Sequence, residues 1–218
     1  GGYDGFLLKY DGAGNNVRSQ QIGTPDHDTP DGVAIDAYGG VFVSGTWGVP
    51  GAGTQDMFVD KFTVGGDHSW HQQLGAPGLN TAYGVATDPA GNVFISGHTK
   101  GDLAAPNAGD WDTVIAKYDA AGNALWQRQI GDAGEDLSFD VVVDSGGNAY
   151  LYGSTAGDIG GTSSGGTDIF LCKYDPDGDL LWTRQHGGAA NDWARRAAIG
   201  PEGNIYVTGG TLGVLAND

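Results

Sequence analysis

The stretch DGFLLKYD at residues 4–11 decides the fold, because the chain returns to it three more times. The later copies are DMFVDKFT at 56–63, DTVIAKYD at 112–119 and DIFLCKYD at 168–175, so successive copies lie 52, 56 and 56 residues apart. A second motif, NNVRSQQIG at 15–23, recurs at the same offsets as DHSWHQQLG, NALWQRQIG and DLLWTRQHG. A fixed period of this size indicates stacked supersecondary units, because one such unit cannot bury its apolar faces alone.

Each repeat predicts four short β-strands, which we label A to D. In one set, strand A is GVATD at 84–88, strand B is VFISG at 93–97, strand C is DTVIAKYD and strand D is ALWQRQIG at 124–131. β-Branched and aromatic residues are enriched in these runs, and Gly-Asn turns separate them. The recurring D-x-x-G-N turn suits a type I turn whose Gly takes the left-handed conformation. Four antiparallel strands in a repeated unit are typical of a β-propeller blade.

The order of strands at the two ends of the chain predicts how the propeller is built. The chain begins with C and D at 4–23, continues through three complete A-B-C-D sets, and ends with A and B at 195–209. We therefore expect an all-β fold at 1–212, a β-propeller of four-stranded antiparallel blades. The two half-blades would join and close a four-bladed ring that has no long open edge. The alternative is an excerpt of a larger propeller of roughly six to eight blades.

Three motifs together resemble the bacterial β-propeller repeat called SBBP: D-x-F-L-x-K-Y-D, G-N-x-x-W-x-R-Q-x-G and G-V-A-x-D-x-x-G-N-V-F-V-x-G. The resemblance covers 4–212, and the departures Arg18 for the repeated Trp and Gly200 for the repeated Asp fall in the half-blades. It implies a secreted or cell-surface protein of bacteria or archaea, often large and multidomain, with no established enzymatic activity. The tail GVLAND at 213–218 resembles the opening of cadherin-like bacterial surface modules, so we expect a following module to begin there.

The charge of the chain limits its partners. There are 27 acidic residues against 10 Lys and Arg, which gives a formal net charge of −17. Nucleic acids and anionic membranes are polyanions, so we expect neither as a partner. The sequence has no continuous apolar run of about 18 residues, so no membrane insertion is expected. Other protein subunits or a cell-surface polymer, glycans included, are the partners that this composition leaves.

The loops of one side of the propeller are the predicted binding surface. Strand direction places the A–B and C–D turns on one side, the turn face, and the B–C and D–A loops on the other, the variable face. The B–C loops, near 46–55, 98–111 and 154–167, differ in length, and binding usually resides in variable loops on a rigid scaffold. Three tryptophans outside the repeat pattern lie there and are predicted to stack on sugar rings: Trp47, Trp111 and Trp193. The alternative is that they plug the loops against neighbouring blades.

One repeat position just before strand A predicts a metal site. It carries an acidic or amide residue in every blade: Asp28, Asn80, Asp136 and Asp192. We expect these side chains to form a ring near the channel mouth on the variable face. Oxygen ligands in such a ring suit Ca²⁺, which takes roughly six to eight of them, and no other cofactor is expected. The alternative is structural, with each side chain capping a turn or pairing with Arg128, Arg184 or their equivalents on strand D, Gln20 and Gln72.

The remaining reactive residue types predict packing rather than chemistry. His68 and His71 lie three residues apart on strand D, so strand geometry predicts that they point to opposite faces. Cys172 lies within an apolar strand C and is expected to be a buried, inert thiol. One lysine per strand C is predicted to pack between blades and to pair with the first Asp of that strand: Lys9, Lys61, Lys117 and Lys173, with Asp4, Asp56, Asp112 and Asp168.

Three functions from different classes fit these observations. The preferred one is a non-enzymatic structural or interaction module of a secreted or cell-surface bacterial protein or extracellular assembly. The second is a carbohydrate-binding, lectin-like propeller that uses the three loop tryptophans. The third is an enzyme whose site is built from loops of the variable face. No sequence motif for nucleophilic or metal-assisted hydrolysis is present, and fold alone cannot choose a function.

Overall fold

The computed structural model of the chain describes residues 2–48, 53 and 55–215. Parts of two predicted segments, residues 49–52 and 54 of the first B–C loop and 216–218 of the tail, lie outside the described residues. The part that is described contains sixteen β-strands: β1 (Gly5–Tyr10), β2 (Asn16–Ile22), β3 (Asp28–Ile35), β4 (Val41–Trp47), β5 (Asp56–Phe62), β6 (His68–Leu74), β7 (Asn80–Thr87), β8 (Val93–Thr99), β9 (Asp112–Tyr118), β10 (Ala124–Ile130), β11 (Asp136–Val143), β12 (Ala149–Thr155), β13 (Asp168–Tyr174), β14 (Leu180–His186), β15 (Asp192–Ile199) and β16 (Ile205–Thr211).

These strands form the predicted blades. Three antiparallel sheets of four strands, β3–β6, β7–β10 and β11–β14, each follow the order A-B-C-D. Two antiparallel sheets of two strands flank them, β1–β2 with strands C and D and β15–β16 with strands A and B. The four A strands, β3, β7, β11 and β15, pack side by side. The all-β propeller architecture is therefore confirmed.

The predicted closure of a four-bladed ring is wrong. Strands β1–β2 and β15–β16 remain two separate sheets, and β16 does not pair with β1. Phe6 on β1 is 69% exposed and Tyr206 on β16 is 66% exposed, whereas strands B and C of a complete blade such as β8 and β9 are buried throughout. This arrangement fits the alternative prediction, a section of a larger propeller.

The D-x-x-G-N motif builds the tight turns of the turn face. In the turn between β7 and β8, Oδ1 of Asp88 accepts hydrogen bonds from the backbone N–H of Ala90 and Asn92, both at 2.9 Å, and the Asn92 amide donates to Asp88 Oδ2. Gly91 has φ of +84°, a conformation that side chains other than Gly rarely adopt. The motif is therefore a local requirement of this turn.

Side chains near that turn bind each blade to the next one. The indole Nε1 of Trp126 and the ammonium of Lys117 both donate to the Pro176 carbonyl, in the C–D turn of the following blade, at 3.0 Å. Lys117 pairs with Asp88 at 3.4 Å, so the predicted partner, Asp112, is wrong. Asp112 and Lys117 are five residue steps apart on one extended strand, roughly 17 Å, so they lie at opposite ends of the blade.

The core lies between successive sheets. One cluster, which includes Phe42, Met57 and Ile95, joins β3–β6 to β7–β10, and a second, which includes Phe94 and Phe170, joins β7–β10 to β11–β14. Cys172 lies in the second cluster, and burial raises the pKa of its thiol to about 12, as expected for an inert buried thiol. Among the described residues, no helix is long and apolar enough to cross a membrane.

Candidate functional site

The predicted metal-binding position lies at the junctions between blades. Its residues open the inner strands β3, β7, β11 and β15, and their side chains are buried. In every case the backbone N–H donates to the carbonyl that precedes strand C of the previous blade. The pairs are Asp28 to Tyr3 (2.8 Å), Asn80 to Gln55 (3.0 Å), Asp136 to Trp111 (2.8 Å) and Asp192 to Thr167 (2.7 Å). The four junctions therefore share one backbone frame.

The first Asp of strand C completes each junction, and a glutamine of strand D holds it. Gln129 Nε2 donates to Asp112 Oδ2 at 2.8 Å, and Gln185 Nε2 donates to Asp168 Oδ2 at 2.9 Å. A Cβ at Gly131 would collide with the Asp112 carboxylate. The R-Q-x-G part of the repeat is thus explained, because Gln binds this carboxylate and only Gly leaves space beside it.

The same glutamine orders the variable loop of its blade. Gln129 Oε1 accepts hydrogen bonds from the backbone N–H of Leu103 at 2.9 Å and of Ala104 at 3.0 Å. In the next blade, Gln185 Oε1 accepts one from Gly160 at 3.2 Å, and its Nε2 donates to the Gly157 carbonyl at 2.8 Å. Sequence reasoning did not identify this role, although the constant Gln at 21, 73, 129 and 185 was visible.

The Asn80 junction has its polar groups satisfied. The Asn80 amide nitrogen lies 2.9 Å from the Gln55 carbonyl oxygen, 2.8 Å from that of Ala76 and 3.0 Å from Asp56 Oδ1. Its Oδ1 accepts a hydrogen bond from the Thr99 hydroxyl at 2.6 Å. An amide group therefore fills a space that is surrounded by oxygen atoms.

The junctions of Asp136 and Asp192 are satisfied only in part. Oδ2 of Asp136 accepts the backbone N–H of Asp132 at 2.7 Å, and Oδ2 of Asp192 accepts that of Gly188 at 2.6 Å. This is the turn-capping role that the sequence offered as an alternative. Burial, followed by the negative charges of Asp132 and Asp112, raises the pKa of Asp136 to about 6 against the hydrogen bonds that lower it.

The arginines predicted as partners lie elsewhere. Arg128 donates from Nε to the Gly178 carbonyl at 2.7 Å and stacks on Trp126. Arg184 donates to the Thr183 carbonyl at 2.7 Å and stacks on Trp182. The prediction that they pair with the junction carboxylates is therefore wrong. Each arginine packs instead on the tryptophan two positions earlier on the same face of strand D.

The three predicted ligand-binding tryptophans lie on the variable face and are half-buried. The Trp47 ring lies 4.5 Å from that of His71, and the Trp111 ring lies 4.7 Å from that of His98. Trp193 covers the backbone of Gly210 on the neighbouring strand. Of the three, Trp47 lines a cavity of about 290 Å³ between β1–β2 and β3–β6. Their contacts are those of loop-packing residues, and sugar binding stays a prediction.

A cluster of His and Asp in this cavity was missed. His68 Nε2 lies 2.8 Å and His71 Nδ1 3.0 Å from Asp60 Oδ1, so the two histidines share a face and the prediction of opposite faces is wrong. A bulge at Ser69 inserts one extra residue between them and reverses the alternation. Asp60 occupies a position that is apolar in the other strands C, and this contrast could have revealed it. Within the described residues, no group of three or more His, Cys, Asp or Glu could hold a metal ion.

A second cavity, of about 330 Å³, lies among the inner strands. Asp31, Tyr83 and Phe139 line it, each the extra residue of a bulge in its A strand. Asp140 and Arg196 complete the wall, and burial raises the pKa of Asp140 while Arg196 opposes that rise. Sequence reasoning missed this cavity because the bulge residue is of a different type in each of these blades. The position therefore does not stand out when the repeats are compared.

The comparisons with known proteins agree with the fold. The β-propeller repeat SBBP matches residues 69–104, which run from β6 through β8, so the predicted resemblance is confirmed there. The chain is 32% identical over 205 residues to "Regulatory protein FlaEY" of Caulobacter vibrioides, an alignment that covers 87% of this chain and 21% of that protein. It is 23% identical over 181 residues to an uncharacterized WD repeat-containing protein of Acanthamoeba polyphaga mimivirus, covering 64% of this chain and 13% of that protein. The chain therefore spans less than a quarter of the length of these curated relatives.

Proposed function

We propose that this chain is a non-enzymatic interaction module, secreted or at the cell surface, whose variable face contacts protein subunits or a cell-surface polymer. The observation that carries the proposal is the internal anchoring of the loops at 98–111 and 154–167. Hydrogen bonds from the half-buried side chains of Gln129 and Gln185 hold the backbone of these loops in place. Preordered loops lose little conformational freedom on binding, which favours affinity.

Other observations support the same proposal. The turn face repeats one tight turn in every blade, so it offers little that could distinguish partners. The two relatives carry names that describe regulation and WD repeats. The net charge of −17 favours a partner with a basic or neutral surface over a polyanion.

Site-specific photo-crosslinking in the organism that encodes the chain tests this proposal. A photoreactive residue replaces Ala104 or Thr162 on the variable face, and Ala121 or Glu202 on the turn face serves as the matched control; all four positions are exposed. We expect discrete adducts from the first pair and none from the second. Adducts confined to the turn face, or none at any position, would refute the proposal.

A lectin-like role for the same face is the second candidate, because Trp47 lines the 290 Å³ cavity together with Asp60 and His71. An aromatic face beside polar hydrogen-bonding groups is a common way to bind a sugar ring. A glycan array with the wild-type chain and its Trp47→Ala variant tests it, with Trp182→Ala as a control at the turn end of its strand. Signals that survive Trp47→Ala unchanged would remove this candidate.

A further inference from the structure

The first residue of strand A differs between blade junctions: it is Asn80 at one junction and an aspartate, Asp136 or Asp192, at the next two. An amide nitrogen at one junction is thus replaced by a carboxylate oxygen at the others. Where Asn80 stands, an amide nitrogen binds Asp56 and two backbone carbonyls. At the next two junctions Asp136 and Asp192 take its place in the same backbone frame, which brings them to the strands that begin with Asp112 and Asp168. The negative charge of Asp112 acts on Asp136. A carboxylate oxygen cannot donate the hydrogen bonds that the Asn80 amide donates, so no side-chain donor replaces that amide between the two aspartates of each junction.

Four buried carboxylate oxygens at these junctions lack a well-placed hydrogen-bond donor. Oδ1 of Asp112, Asp136, Asp168 and Asp192 is buried and accepts no hydrogen bond of normal geometry. At Asp136 the Thr155 hydroxyl still lies close enough to lower the pKa of the carboxyl, against the larger effect of burial, which raises it. The side chains are almost inaccessible, with Asp112 1% exposed and the other three 0% exposed. A buried carboxylate without a compensating partner is strongly unfavourable, and a second carboxylate beside it adds repulsion.

No basic side chain within the described residues compensates these charges. Lys117 binds Asp88 and Pro176, and Lys100 pairs with the exposed Asp110. Arg128 and Arg184 bind backbone carbonyls near their own tryptophans. A bound cation or a shared proton must therefore compensate each pair.

We propose that each of these two junctions binds one hard cation, Ca²⁺, between neighbouring blades. Asp112 and Asp136 supply the carboxylates of the first site, and Asp168 and Asp192 supply those of the second. By equivalence with Gln55 at the Asn80 junction, one backbone carbonyl adds a ligand at each site, that of Trp111 at the first and that of Thr167 at the second. Asp132 and Gly188 instead turn their backbone N–H toward the carboxylates of Asp136 and Asp192.

This ligand set suits Ca²⁺, which binds carboxylate, carbonyl and water oxygens in flexible geometry. It differs from the ring of four residues that the sequence predicted, because each ion lies at one junction and uses residues from two blades. At the Asn80 junction the amide stands in the place of the ion. The Asp28 junction is not assigned, because both Asp28 oxygens accept the Thr24 hydroxyl and Asp4 is exposed.

Asparagine substitutions test the proposal, because the chain itself shows what asparagine does at this position. After treatment with a chelator, isothermal titration with CaCl₂ should give two sites for the wild type, one for Asp136→Asn or Asp192→Asn, and none for the double variant. Asn80→Asp should gain a third site. Asp110→Asn, which removes an exposed carboxylate near the first site, is the matched control and should keep two.

Thermal unfolding provides the second measurement. At a free Ca²⁺ concentration about 100 times Kd, each site should raise the folding equilibrium constant about 100-fold. In EGTA, Asp136→Asn should melt above the wild type, because its amide can bind Asp112 as Asn80 binds Asp56. A wild type that binds no Ca²⁺ and melts at the same temperature in Ca²⁺ and EGTA would overturn the proposal and leave a proton shared by each carboxylate pair. Two sites in the double variant would overturn it as well.

Discussion

Trp126→Ala measures how strongly one blade is bound to the next. Trp126 is 9% exposed and packs edge-on against Phe94, with ring centroids 5.8 Å apart. Its ring lies tilted against that of Tyr174 at 6.2 Å, and its indole N–H donates to the Pro176 carbonyl at 3.0 Å. Trp182 is the natural control, because it holds the same repeat position and no C–D turn of a following blade faces it among the described residues. It packs against one aromatic ring, that of Tyr150, at 6.1 Å.

The difference between the two substitutions follows from these contacts. A buried Trp replaced by Ala costs about 3–5 kcal/mol, so Trp126→Ala should lie in that range. Trp182 has one hydrogen bond fewer, about 1 kcal/mol, and one aromatic pair fewer, also about 1 kcal/mol. We therefore expect Trp182→Ala to cost about 2 kcal/mol less than Trp126→Ala.

Urea unfolding at 25 °C, followed by far-ultraviolet circular dichroism, is the assay, because this signal comes mainly from the backbone of the β-sheets. Trp126→Phe separates the two contributions, since it keeps an aromatic ring and loses the donor, and it should cost about 1 kcal/mol. Equal losses for Trp126→Ala and Trp182→Ala, at unchanged denaturant dependence, would show that the contacts across the junction contribute nothing measurable.

Three further outcomes are expected. Burial lowers the pKa of His98 to about 4 from 6.5, so the unfolded chain binds the extra proton between these values and stability falls as the pH drops from 6.5 to 4. The wild type should therefore lose up to roughly 3 kcal/mol of unfolding free energy over this pH range that the His98→Thr variant does not lose. Equal slopes of unfolding free energy against pH for the two chains would contradict this. The Cys172 thiol, whose pKa burial raises to about 12, should react with a disulfide reagent at pH 8 only as the chain unfolds; rapid labelling of the native chain would show that it is accessible. Gln129→Ala should speed hydrogen exchange at Leu103 and Ala104 about five-fold for each lost bond and leave 157–160 unchanged, whereas faster exchange in both loops would mean that they are not anchored separately.

The strands and blades could be predicted from the repeat, because each copy carries the same pattern of strand-forming and turn-forming residues. The D-x-x-G-N turn, the Trp and Lys of each blade and the Gly after strand D all act within one blade or across one junction. Ring closure could not be predicted in this way, because the rotation between β3, β7 and β11 depends on how their side chains pack. The phase of the strands shows only that 4–23 and 195–209 are complementary halves.

The site residues were predicted less completely, for reasons that particular residues show. Asp112 and Asp136 were each recognised as repeat positions, yet 24 residues and a blade boundary separate them in the chain. Their meeting follows from the backbone bond between Asp136 and Trp111, which no local pattern contains. His68 and His71 were assigned to opposite faces because the bulge at Ser69 leaves no mark in the composition of its strand.

The side-chain hydrogen bonds of Lys117 and Trp126 run from one blade to the blade that follows it in the chain. Both side chains reach forward to a carbonyl in the turn of the following blade, and Lys61 and Trp70 reach forward in the same way to the Ala120 carbonyl. The acceptor is a backbone carbonyl, so it does not depend on the side chain at that position. A duplicated copy of the 56-residue unit would therefore already contain the Lys and Trp donors and the carbonyl acceptor. Tandem duplication in the gene could thus lengthen the array without any compensating substitution, and the ring could grow until its curvature brings the two ends together.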